Sequence, residues 1–177
     1  MVLKRKGPTL KSFYANVLET GSLITLELRR RDSSGELIDS LPIIRAKLEH
    51  RSFIISTWVK SYQSQARRIR YESMPVPHDV YRDGESLLAE LRWKDSHVVV
   101  SPGDEFTIHA WICSYSTPGA KRLYHVYVPP LLRSSRVAKS LVEHYVGKEY
   151  LVGKPWPNAP PSGHVVHFDP YMNGAGH

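Results

Sequence analysis

A chain of 177 residues has room for one domain of ordinary size, and its 41% apolar and 23% charged content is that of a folded globular protein rather than a disordered tail. No run approaches the roughly 18 to 20 apolar residues needed to cross a bilayer, and no signal-peptide-like apolar core follows Met1, so the expectation is a protein of the cytosol or nucleus. A net charge of +7 with a pI near 9.5 calls for an anionic partner, whether nucleic acid, anionic lipid or an acidic protein, and the single Cys113 leaves no intrachain disulfide and no multi-cysteine zinc site.

Met1 to Ser12 holds Lys4, Arg5, Lys6 and Lys11 around Gly7 and Pro8 with no acid, which predicts a mobile basic arm. Leu23 to Leu28 reads as a strand that runs into Arg29-Arg30-Arg31 and stops at the turn Asp32-Ser33-Ser34-Gly35. Ser40-Leu41-Pro42 has the form of a helix start, a capping serine followed by a proline whose missing donor costs nothing in the first turn. Ile44, Leu48, Ile55, Trp58, Val59 and Tyr62 then recur at near-helical spacing, predicting a helical region from Leu41 to about Ala66 that the polar stretch Glu49 to Ser52 can divide in two.

Pro75, Pro77 and Asp83-Gly84 mark a loop between Met74 and Gly84. Beyond it, Leu87, Ala89, Leu91 and Trp93 alternate as in a strand, and His97 to Val100 leads through Ser101-Pro102-Gly103-Asp104 into a longer strand, Phe106 to Tyr115. Strict alternation there sets Phe106, Ile108, Ala110 and Ile112 on one face, with His109, Trp111, Cys113 and Tyr115 on the other. Thr117-Pro118-Gly119 returns the chain through Leu123 to Val128, completing three or four strands in antiparallel meander order. After Pro129-Pro130, Val137, Leu141, Val142 and Tyr145 lie at helical spacing behind candidate caps Ser134 and Ser135, with Gly147 as the stop.

The expected fold class is α+β, an antiparallel β-meander sheet packed against two or three helices. Residues 1–12 form the arm, 13–150 the globular domain, and 151–177 an extended segment in which Pro155, Pro157, Pro160, Pro161 and Pro170 exclude helix.

The sequence carries no glycine-rich nucleotide loop, no Gly-x-Ser-x-Gly elbow and no His-Glu-x-x-His helix. His164-Val-Val-His167 with Asp169 is the best metal candidate, but a strand places those histidines on opposite faces. His109 and His125 can face one another across the meander, with no carboxylate or serine placed by sequence to use them. The expectation is a protein that is not an enzyme and has no cofactor and no metal.

Basic clusters are the positive signal. Arg29, Arg30 and Arg31, then Arg67, Arg68 and Arg70, then Arg133, Arg136 and Lys139 recur in separate elements, and with Lys4, Arg5, Lys6 and Lys11 they are the candidate polyanion contacts. Guanidinium groups make forked hydrogen bonds to phosphates. Each cluster alone also fits a solvated surface beside a turn; several together favour contact with a polyanion. Trp58 and Tyr62 fit core packing better than base stacking. The strap carrying Pro155, Trp156, Pro157, Pro160, Pro161, Phe168 and Tyr171 is stiff, so it loses little entropy on docking into a groove of its own domain or of the next molecule. These seven residues are the candidates for self-association, which produces rings or open arrays if head to tail.

This layout resembles the matrix proteins of rhabdoviruses, in particular the short, basic matrix proteins of plant-infecting cytorhabdoviruses. The likeness lies in the length, the Met1 to Ser12 arm, the strand Leu23 to Leu28 before a helix with Trp58, the meander Trp93 to Val128 and the late amphipathic helix. It implies a structural virion protein that binds the viral nucleoprotein-RNA complex, self-associates beneath the envelope and assists condensation and budding. Its implied places are the virion, host cytoplasm and internal membranes, and its implied partners are itself, the nucleocapsid, an anionic membrane surface and the envelope glycoprotein. Lys4, Arg5, Lys6 and Lys11 match the family's basic arm. The chain departs from the animal-virus members in a shorter arm and in lacking Pro-Pro-x-Tyr, of which Pro160-Pro161-Ser162 is a partial echo; self-association through Trp156 is the expected substitute. The alternative is a small RNA-binding accessory protein, such as a suppressor of RNA silencing, acting as a discrete oligomer.

Overall fold

Ala15 and Val17 turn inward while Asn16 and Leu18 are exposed, and Gly21, at φ +63°, opens a two-residue loop that a side chain would strain. In the computed structural model, which describes residues 13–66, 86–153 and 160–168, this stretch is strand β1 (Phe13–Thr20), paired with β2 (Leu23–Arg30) from Phe13↔Arg30 to Thr20↔Leu23. The strand at Leu23 is therefore the second arm of a hairpin. The predicted arm with Lys4, Arg5, Lys6 and Lys11, the cluster Arg67, Arg68 and Arg70, the Met74 to Gly84 loop, and Pro155, Trp156, Pro157, Asp169, Pro170 and Tyr171 lie outside the described residues.

The helix start at Ser40-Leu41-Pro42 is a misreading. Leu41 and Ile43 are buried alternately with Pro42 and Ile44, and the segment is strand β3 (Leu37–Arg45). Pro42 is tolerated because β3 meets β4 only from Ile43 to Arg45, so the proline opposes Thr25 of β2 and lies beyond the β4 ladder. Helix α1 (Arg51–Ala66) begins only after a 3-10 turn at Leu48–His50. The buried His50 ring sets that entry: Nδ1 accepts the Lys47 N–H at 3.0 Å, leaving Nε2–H to donate to the Glu105 carbonyl at 3.0 Å.

Residues 86–92 form helix α2 and not a strand. Ala89 and Trp93, four apart, turn inward, while Leu87 and Leu91, also four apart, are exposed. Apolar residues at every second position over so short a run fit both periods, and the helix wins by burying Trp93.

Strands β4 (Ser96–Ser101), β5 (Asp104–Thr117) and β6 (Ala120–Tyr127) form the predicted meander. Strict alternation in β5 does not hold. The register passes from Val99↔Ala110 to Val100↔Ile108, so a bulge at His109 places Ile108 with Trp111 and Cys113, while Ala110 and Ile112 occupy the other face. Phe106 is 76% exposed and joins neither.

Ser134 and Ser135 do not cap the late helix. They end a 3-10 turn (Pro130–Ser135) in which Ser135 Oγ donates back to the Leu132 carbonyl at 2.6 Å, and α3 (Val137–Tyr145) starts from Arg136. Gly147 stops the helix as predicted: at φ +80° its N–H and that of Val146 both reach the Val142 carbonyl, at 3.1 and 2.9 Å. The chain then adds β7 (Glu149–Val152) and β8 (Val165–Phe168) in parallel. The eight strands follow chain order in one sheet, antiparallel from β1 to β6 and parallel from β6 to β8, so the meander is longer than predicted but does not continue to the end.

Helix α3 touches β1 as well as β5 and β6, which requires the sheet to curl around it. On that face Leu26, Leu41, Val99, Ala110, Ile112, Leu141 and Val142 are buried together. On the opposite face Ile54 and Trp58 of α1 and Ala89 of α2 pack on Val98, Val100, Trp111 and Cys113. β4 reads Val98-Val99-Val100 because both of its faces are covered. Trp58 is core, as expected, and Cys113 is buried, its thiol pushed up to about 12 by desolvation and hence unreactive.

Candidate polyanion-binding face

β2 delivers Arg29, Arg30 and Arg31 to one end of the sheet, and the curl brings that end against the turn leading into α3. Arg29 is held within its own hairpin, ion-paired to Glu27 at 2.7 Å and donating to the Gly35 carbonyl at 3.1 Å. Arg30 pairs with Glu36 at 3.2 Å on the surface. Arg31 instead crosses the fold, and its Nη2 donates to the Ser134 carbonyl at 3.3 Å. With Tyr14 of β1 and Arg136 it lines an open concavity of about 640 Å3.

Arg136 has φ +65°, a left-handed conformation that costs a non-glycine residue roughly 1–2 kcal/mol. It stands between the 3-10 turn and α3, where it lines the concavity. Among the described residues neither Arg31 nor Arg136 has a carboxylate within ion-pairing distance. Arg136 therefore keeps its fork available to an added anion, and Arg31 keeps the donors not spent on the Ser134 carbonyl. Arg133 is turned away and donates to the Val128 carbonyl at 3.2 Å. Lys139 reaches the Ser162 carbonyl at 3.3 Å and Glu143 at 3.8 Å, which ties α3 to the C-terminal segment. The fold thus assembles Arg31 and Arg136 from two predicted clusters and commits Arg29, Arg30, Arg133 and Lys139 to internal partners. It also fixes the root of the basic N-terminal sequence, since the chain enters β1 at Phe13, opposite Arg30.

A second cationic concavity, of about 560 Å3, includes Lys121 and Lys148 with the pair His167–Glu149, 3.1 Å apart. The sequence offered no signal for it, because Lys121, in β6, and Lys148, just before β7, lie far apart in the chain.

The described histidines make contacts within the fold. His109 and His125 do not face one another: His109 Nε2 lies 2.7 Å from Ser101 Oγ beside the bulge, whereas the His125 ring stacks on Trp58 and packs against Trp111. His97 stacks on Tyr145 and is lowered to about 4 by burial, with Arg45 and His144 adding repulsion, so it is uncharged near neutral pH. His164 is buried and His167 exposed, the opposite-face placement a strand dictates. His164 bridges Tyr150 Oη and Glu143 Oε1, each at 3.2 Å. Burial pushes Tyr150 up to about 12, so it stays a phenol and can donate to Nδ1 while Nε2–H donates to Glu143. Among the described residues no three His, Cys, Asp or Glu side chains gather to hold a cation, and no helix is long and apolar enough to cross a membrane.

In the predicted strap, Pro160 is exposed, Pro161 half-buried and Phe168 exposed at the end of β8. The described part of the strap docks on its own domain, through β7 and the His164 contacts. Comparison of the chain with protein-family models, with curated proteins and with solved structures finds no match.

Proposed function

We propose that this chain is a structural assembly protein of the rhabdovirus matrix type, which binds polyanions through one basic end and bridges the nucleoprotein-RNA complex to an anionic membrane in the virion. The observation that carries the reading is the convergence of Arg31 and Arg136 on one open concavity, although they lie far apart in the chain. Two guanidinium groups beside a tyrosine, with no carboxylate partner among the described residues, suit a phosphate oxygen, and the basic residues before Phe13 join the fold at the same end. Aromatic and arginine groups also suit single-stranded RNA, which keeps the alternative of a discrete RNA-binding oligomer within reach of the same test.

Co-sedimentation of the full chain with RNA, with phosphatidylserine vesicles and with neutral phosphatidylcholine vesicles tests the electrostatic part. Binding to RNA should fall as a power of salt concentration, each neutralised phosphate adding about 0.7 to 0.9 to the steepness of the log–log plot, and binding to phosphatidylserine should weaken with salt as well. Neutral vesicles should stay unbound. Salt-independent binding, or equal binding to neutral vesicles, would contradict the assignment.

A further inference from the structure

The two edges of the sheet are not alike. Along β1 packs α3, whose Ser140 Oγ donates to the Ala15 carbonyl at 2.6 Å. β8 is last in the strand order, and among the described residues nothing pairs with its outer side. Its sequence, Val165-Val166-His167-Phe168, has no lysine, no proline and no glycine to discourage a further strand, and Val165 and Phe168 are 54% and 53% exposed.

One bond fixes which backbone groups point outward. Val165 N–H donates to the Lys148 carbonyl at 2.7 Å, on the β7 side. Because these groups alternate along a strand, His167 also points inward, and Val166 and Phe168 present their N–H and C=O to the open edge. An antiparallel partner must set outward residue against outward residue. Between two copies this allows Val166 opposite Phe168 of the second copy, and the reverse, with the two His167 residues facing each other on a two-fold axis. The other short register, with Val166 on the axis, would draw His164 into the ladder, but the His164 N–H is already spent on the Pro161 carbonyl at 3.0 Å.

In the allowed register the side chains agree with the backbone. Val166 opposes Tyr150 and Phe168 opposes Val152 in the β7 pairing, so both lie on the α3 face of the sheet. Pairing two copies continues that apolar face across the axis as Val166 and Phe168 from each. We propose that the outer edge of β8 is a two-fold contact with a second copy of this chain, joining two eight-stranded sheets into one. The proposal rests on the reading of the protein as self-associating and names the surface. A contact confined to four-residue strands falls below the roughly 1,000 Å2 of a stable interface, so it is weak and reversible. Being two-fold, it closes on a pair, and an extended layer needs a second, separate contact.

Removing residues 154–177 would take β8 out of the sheet, so point variants are the sharper test. Cys113 is buried, which makes the thiol of His167→Cys the accessible one. Facing residues of a non-hydrogen-bonded antiparallel pair have Cα atoms about 4.5 Å apart, inside the roughly 4.4–6.8 Å range of disulfides. Under mild oxidation the full chain carrying H167C should cross-link to a dimer at least about 10-fold faster than V165C, whose symmetry mate is offset by four residues, roughly 13 Å. Equal rates, or faster V165C cross-linking, overturn the proposal. Phe168→Lys should shift the sedimenting species toward monomer at concentrations where the unaltered chain pairs, and an unchanged distribution overturns it as well. If H167C fails to cross-link yet still binds RNA and phosphatidylserine vesicles when reduced, the edge contact is wrong and the polyanion reading stands; if the unaltered chain binds neither, the wider reading fails first.

Discussion

Replacing Arg31 and Arg136 together by glutamate should lower affinity for RNA and for phosphatidylserine vesicles by at least about 100-fold at low salt. Hydrogen bonds to charged groups contribute roughly 1.5–3 kcal/mol each, and exposure of this concavity to solvent and salt holds the pair to the lower end of that range. The log–log salt slope for RNA should also fall by about 1.4, the release expected from two single-strand phosphate contacts. Arg51→Glu with Lys94→Glu is the matched control, because it changes net charge equally at positions away from the concavity, Arg51 being paired to Glu90 at 2.7 Å. The control should lose several-fold in affinity and keep most of the slope. Equal losses in the two double variants would mean that net charge, and not this site, holds the polyanion. Binding isotherms at several salt concentrations decide between them.

Trp111→Ala should destabilise the fold by about 3–5 kcal/mol, a large part of what a domain of this size has. The indole is fully buried in β5, packs against Trp58, His125 and Tyr127, and donates its N–H to Thr57 Oγ1 at 2.9 Å. Removing it opens a cavity between the sheet and α1 and leaves Thr57 without that donor, although the threonine hydroxyl still donates to the Phe53 carbonyl at 2.7 Å. Urea unfolding followed by far-ultraviolet circular dichroism should show the midpoint drop with the slope unchanged, or show a chain already unfolded in water. Trp111→Phe, which keeps most of the apolar volume, should lose considerably less. A shift under about 1 kcal/mol for Trp111→Ala would mean that the α1 face is not a packed core.

The longest strand and the late helix were legible because their patterns are long. Phe106 to Tyr115 alternates over enough residues to outweigh one bulge, and Val137, Leu141 and Val142 repeat a helical spacing up to a glycine in the left-handed region. Short segments misled. Ser40-Leu41-Pro42 carries helix-start chemistry, yet burial of Leu41 and Ile43 in the sheet overrides it, and the alternation of Leu87 to Trp93 fits a helix with one exposed stripe. β1 went unread because its small and polar residues, Ala15, Asn16 and Thr20, dilute the apolar signal. The candidate site was legible only as separate clusters. No local pattern says that Arg31 will reach Ser134, since that contact follows from the curl of the sheet around α3, nor that neighbouring Arg29 and Arg30 will be neutralised by Glu27 and Glu36. The edge at β8 was equally hidden, because an edge is a property of strand order and not of any one strand.

The proposed function requires ordered self-assembly driven by a polyanion. Light scattering with negative-stain imaging of the full chain, at low and high salt, with and without RNA and phosphatidylserine liposomes, tests it most directly. Ordered arrays or coated liposomes should form with rising protein concentration when an anionic partner is present, and should dissolve at high salt. A compact monomer or dimer that saturates RNA and never assembles at any concentration would contradict it, and would identify the chain instead as a discrete RNA-binding protein.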